Sequence, residues 1–136
     1  MAVLLAVLSL AFCLMISVWF PAVAGEPDWQ HFKKSYLRDG RIIDPVNGSI
    51  SHSEGQGYAM LLSVHWDDRQ SFEQIWLWTQ NKLQTRNDAL FSWQWHPEKG
   101  VMDANNATDA DLLIAWALSL AAIKWQVPAY EQASLQ

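Results

Sequence analysis

An all-α fold of the α/α toroid kind is predicted by two features of this sequence. Amphipathic helical stretches alternate with helical stretches that are apolar all round, and no β period competes with them. The first kind suits an outer layer, and the second must be buried on every side.

From about Asp28 to Leu37, Trp29, Phe32 and Tyr36 fall at helical spacing with Gln30, Lys33 and Lys34 between them, which predicts an outer helix. A loop rich in Gly, Pro, Asn and Ser runs from Asp39 to Ser53. Glu54 to His65 then holds Tyr58, Ala59, Met60, Leu61, Leu62 and Val64, an inner helix. Asp68 to about Gln84 sets Phe72, Ile75, Trp76, Thr79 and Leu83 against Arg69, Glu73, Gln80 and Asn81, and is again amphipathic. A second long loop, Thr85 to Ala107, carries Trp93, Trp95, Pro97 and Gly100 and has room for a short hairpin. Asp109 to Gln126 contains Leu112, Leu113, Ile114, Trp116, Leu118, Leu120 and Ile123, a second inner helix. Pro128 opens a fifth helix, and no stop signal precedes Gln136.

The order outer, inner, outer, inner, outer is that of nested helical hairpins. Two inner helices need more neighbours than 136 residues supply, so further C-terminal sequence is expected to complete the barrel. A four-helix bundle is the alternative, but each of its helices would carry a single apolar stripe.

Residues 1–24 carry no charged side chain and end in Ala22-Val23-Ala24, a small-x-small pattern that predicts an export signal and a periplasmic or secreted protein. The only positive group there is the amino terminus, which leaves an uncleaved anchor or a misplaced start codon open. With that segment removed as a signal, residues 25–136 remain as the mature part, and no stable membrane insertion is expected. Cys13, the single cysteine, leaves with the signal, so the rest forms no internal disulfide. The formal charge of −5 falls entirely after Ala24 and disfavours nucleic acid or anionic membrane as partners. Eight of the nine Trp also follow Ala24 and suit either sugar stacking or core packing.

Each inner helix opens with the same device, Ser53-Glu54-Gly55-Gln56 and Thr108-Asp109-Ala110-Asp111, which predicts a hydroxyl N-cap and a partner at the third helical position. Glu54 and Asp109 then occupy the first helical position, and parallel inner helices bring them to one cleft. A first-turn acid also has a plainer role, complementing the helix dipole. Three details favour the cleft: both acids end long loops, both precede buried helices, and Trp93 and Trp95 stand between them as sugar platforms that share a face if the loop is extended. Paired carboxylates beside aromatic rings suit glycosidic hydrolysis. Trp66, Trp76 and Trp78 lie at or within the outer helix and are read as packing residues. His31, His52, His65 and His96 lack metal-ligand spacing, so no metal or cofactor is expected.

Ser53-Glu54-Gly55-Gln56-Gly57-Tyr58-Ala59-Met60 and Ala107-Thr108-Asp109-Ala110-Asp111-Leu112-Leu113-Ile114-Ala115-Trp116-Ala117-Leu118 closely resemble glycoside hydrolase family 8, especially endoglucanases encoded beside bacterial cellulose synthases. The likeness extends from Trp29 through Asp39-Gly40-Arg41-Ile42-Ile43-Asp44 to Trp125. It implies an (α/α)6 barrel, inverting hydrolysis of β-1,4-glucan, and a link to cellulose synthesis machinery. By the same resemblance Glu54 is the proton donor, and Asp109 is the active-site aspartate that positions the sugar or is named nucleophile. Tyr58, Trp93 and Trp95 are substrate-binding candidates, Asp111 is structural, and the general base lies on a later inner helix. An inverting acid and base stand about 6.5–9.5 Å apart to admit water. The competing expectation is a non-catalytic glucan-binding or export-assisting remnant.

Overall fold

A computed structural model describes residues 26–136, so the segment read as an export signal lies outside the described residues. Among the described residues are five helices, α1 (Glu26–Tyr36), α2 (Ser53–His65), α3 (Arg69–Leu83), α4 (Thr108–Trp125) and α5 (Pro128–Ser134). Between them lie β1 (Leu37–Arg38) and β2 (Arg41–Ile42), which pair as a hairpin. A three-stranded antiparallel sheet has the order β3 (Ser51–His52), β4 (Ser92–His96) and β5 (Gly100–Asn106). The chain is thus helix-rich rather than all-α: β1, β2 and β3 are two residues each, too short to show a period, and the hairpin for which the second loop has room is β4 with β5.

The relation of α2 to α4 sets up the site. Near the start of α2, Gly57 admits α4 so closely that a Cβ there would stand 2.8 Å from the Cβ of Leu113. At the far end, Lys124 Nζ of α4 donates to the Val64 carbonyl of α2 at 2.7 Å. Start meets start and end meets end, so the two inner helices are parallel. Their common origin explains this: β3 runs straight into α2 and β5 leads into α4 through Ala107, in one sheet.

Around this pair the core gathers Met60, Phe72, Ile75, Leu83, Ile114 and Leu118, all fully buried. Phe72 of α3 meets Trp125 and Tyr130 edge-on at 5.1 and 5.2 Å, which seats the end of α4 and the short α5. Asp68 caps α3 by accepting from the Ser71 backbone N–H at 3.0 Å, and also accepts from Trp29 Nε1 and Lys33 Nζ of α1. Burial alone would raise this carboxyl's pKa, but the Lys33, Ser71 and Trp29 donors outweigh it and hold it well below the usual carboxylate range. One side chain thus starts α3 and fastens α1 to it.

The expected capping boxes do not form. His52 takes the cap position of α2 and Ala107 that of α4, both in extended backbone and neither with a side-chain cap hydrogen bond. Because a strand feeds each helix directly, Ser53 and Thr108 are drawn into the first turn, and Glu54 and Asp109 move to the second helical position. Ser53 Oγ is buried without a hydrogen-bond partner among the described residues. The residues expected to return to the cap serve other elements. Gln56, fully buried, accepts from the Ile42 N–H at 2.6 Å and donates to the Gly40 carbonyl and to Thr79 Oγ1. It satisfies backbone groups that so short a hairpin leaves without a ladder. Asp111 accepts from the Phe91 N–H at 3.1 Å and from Asn106 Nδ2 at 2.8 Å, tying α4 to the sheet as a structural residue.

Candidate active site

Glu54 and Asp109 each occupy the second position of a helix, on two parallel helices that start from one sheet and touch along their length. Both are exposed. Tyr58 follows Glu54 by four residues, so the two share a face of α2, and Tyr58 is 51% exposed. On α4, Asp109, Leu112 and Trp116 fall three and four apart on one face, and the two apolar side chains are exposed. Each helix therefore carries an open stripe headed by its carboxylate. Asp109 Oδ1 accepts from the N–H of its neighbour Ala110 at 2.9 Å, which orients the carboxylate at the helix start.

The two candidate platforms stand in different surroundings. The Trp95 and Trp78 rings meet near-perpendicular at 5.2 Å, and the Arg41 guanidinium lies 5.1 Å from the Trp95 ring centre, so Trp95 is engaged in packing between β2, α3 and the sheet. Trp93 tilts against the His52 ring at 5.8 Å. The half-buried Asp103 carboxyl on β5 is held below the usual carboxylate range by the neighbouring Trp93 indole and by the Asn105 backbone N–H, which donates to it at 2.9 Å. Trp93, His52, Gln94, His96, Asn47 and Met102 line an open groove of about 580 Å³, and Trp95 is not among its walls. A shared neighbourhood is expected of a regular strand, but register shifts on both sides of Gln94 interrupt the ladder.

Near the site, His52 Nε2 stands 3.9 Å from Asp44 Oδ2. The nearness of Asp103 to Trp93 does not show in residue spacing, because only the pairing of β4 with β5 sets Asp103 opposite Gln94. Among the described residues, no group of three or more His, Cys, Asp or Glu is placed to hold a metal ion. Glu54 and Asp109 supply carboxyl groups, and Tyr58 and Trp93 supply aromatic surface.

The sequence model of the glycosyl hydrolases family 8 matches residues 5–135. The chain belongs to this family. Among relatives of this family 8 chain, the endoglucanase of Cellulomonas uda is 44% identical over 117 residues, covering 84% of this chain and 33% of that protein. A probable endoglucanase of Novacetimonas hansenii is 49% identical over 107 residues, covering 76% of this chain and 31% of that protein. A crystal structure of a family 8 endo-β-1,4-glucanase from an Achatina fulica gut metagenomic library superposes with a TM-score of 0.77 at 43% identity, over 84% of this chain and 37% of that one. The family 8 chain thus spans about a third of the length of these relatives.

Proposed function

We propose that this chain supplies the acid half of an endo-β-1,4-glucanase site. The observation that carries it is the parallel contact of α2 and α4 from a common sheet, which turns Glu54 and Asp109 to one end of the molecule. The endoglucanase and endo-β-1,4-glucanase relatives support β-1,4-glucan as the substrate. Glu54 gives its proton to the glycosidic oxygen as the bond to C1 breaks. Asp109 holds the sugar at the cleavage point against the growing positive charge on the ring. Water attacks C1 from the opposite side, and its proton passes to a base in sequence beyond Gln136. Further inner helices of an (α/α)6 barrel cover the exposed stripe of Leu112, Trp116 and Ile123 on α4. Tyr58 and Trp93 offer aromatic surface to the glucan. Periplasmic or secreted placement rests on the uncharged run of residues 1–24. Partnership with cellulose synthesis machinery rests on the resemblance carried by Ser53 to Met60 and Ala107 to Leu118.

Proton NMR of cellopentaose cleavage by the full-length protein tests the mechanism. Inversion predicts that new reducing ends appear first as the α-anomer and then mutarotate. Prompt appearance of the β-anomer would mean a covalent intermediate and a different role for Asp109.

A further inference from the structure

On the side of α3 turned away from α2 lies an open groove of about 520 Å³ that none of Glu54, Tyr58, Trp93 or Asp109 lines. Its floor is the α3 stripe Gln74, Leu77, Trp78, Asn81 and Lys82, at spacings of three, one, three and one, and the Asp39 turn forms a wall. The buried stripe of the same helix is Phe72, Ile75, Trp76, Thr79 and Leu83, so the groove belongs to the outward face. An outward face needs no large apolar side chains, yet Leu77 is 60% exposed and beside it stands a partly exposed tryptophan. Trp78 was expected only to pack. It does so through its edge-on contact with Trp95, which fixes the indole while it lines the groove.

The wall is rigid for a separate reason. Gly40 sits so close to α3 that a Cβ would fall 2.3 Å from the Gln74 carbonyl oxygen, so the turn is pressed onto the helix. Around the indole stand two amides, one carboxylate and one ammonium. Among the described residues neither Asp39 nor Lys82 takes part in an ion pair. A held aromatic ring ringed by neutral and balanced hydrogen-bonding groups matches an uncharged polyhydroxylated chain, whose ring faces are apolar and whose edges are hydroxyls.

From this geometry we infer a second glucan-binding site, a groove on α3 that holds a β-1,4-glucan strand against Trp78 away from the carboxylates. It rests on the glucanase reading for the identity of the polymer. Its role is to keep a long chain on the protein while another stretch is cut, so it serves polymers and is left empty by short oligosaccharides.

The test measures binding of the full-length protein to regenerated cellulose, and turnover of both carboxymethylcellulose and cellotetraose. It compares the wild type with Trp78→Ala and with the double variant Gln74→Ala/Asn81→Ala, whose side chains lie outside the core. Loss of one stacked ring is expected to weaken cellulose binding by about fivefold and raise KM for the polymer to match. The double variant moves the same way, and cellotetraose turnover stays at the wild-type rate. Unchanged polymer binding in the double variant, or equal losses on polymer and tetramer in both variants, overturns the second site alone. A wild-type protein that neither binds nor cuts any β-glucan overturns the glucanase reading and this one together.

Discussion

Glu54→Gln in the full-length protein is expected to lower kcat on carboxymethylcellulose by about 10²- to 10⁴-fold, the usual contribution of a general acid. The amide keeps the shape of the side chain and loses the proton that the leaving oxygen needs. Glu54 is exposed, and its side chain makes no hydrogen bond to another described residue, so the substitution should shift stability by no more than about 0.5 kcal/mol. Activity and folding are thereby separated: circular dichroism and the urea midpoint stay put while turnover collapses. KM should change little, because the proton matters in the transition state rather than in binding. A variant retaining most of its kcat would remove Glu54 from the chemistry and leave its position as dipole compensation alone.

Gly40→Ala is expected to cost about 3 to 5 kcal/mol of folding stability, measured by urea denaturation, with Gly48→Ala as its control. Both glycines have positive φ, 82° and 70°, so each substitution carries the left-handed penalty of about 1 to 2 kcal/mol. They differ in what a side chain would meet. At Gly48 nothing lies within 4 Å, whereas at Gly40 the new Cβ would fall 2.3 Å from the Gln74 carbonyl oxygen and 2.9 Å from its carbon. Those are backbone atoms of a helix and cannot swing aside, so the turn must lift from α3. Lifting it also strains the bonds from Gln56 to the Gly40 carbonyl and the Ile42 N–H, both in the buried core. Equal losses at the two glycines would show that the turn has freedom to move and that its pressure on α3 is slight.

Four helices are legible as apolar patterns over eleven to eighteen residues, one-sided in α1 and α3 and continuous in α2 and α4. Pro128 marks the start of the fifth. The all-round burial expected of α2 and α4 is met only in part: the two helices pack on each other, but among the described residues α4 buries one face and leaves Trp116 at 58% exposure. The two acids are legible as helix-start residues at one end of a parallel pair. What escapes is fixed by pairing at long sequence distance. The β1–β2 hairpin is signalled only by Asp39-Gly40, whose paired positive φ values close a two-residue turn, and its strands show no period of their own. The caps are misread because Ser-x-x-Gln looks the same whether Gln56 turns back to its own helix or outward to β2. Similarly, a spacing of two places Trp93 and Trp95 together only in an unbroken ladder, and the shifts around Gln94 depend on how β5 pairs.

Glu54 and Asp109 are proposed to act as one site because α2 and α4 are held parallel from one sheet. The most direct measurement is a double-mutant cycle on kcat/KM for carboxymethylcellulose in the full-length protein, using Glu54→Gln, Asp109→Asn and both together. Groups that stabilise the same transition state lose their effect as a unit, so the double variant is predicted to fall about as far as the worse single variant. A double variant whose loss equals the product of the two single losses would show two carboxylates working independently, and would contradict the shared site.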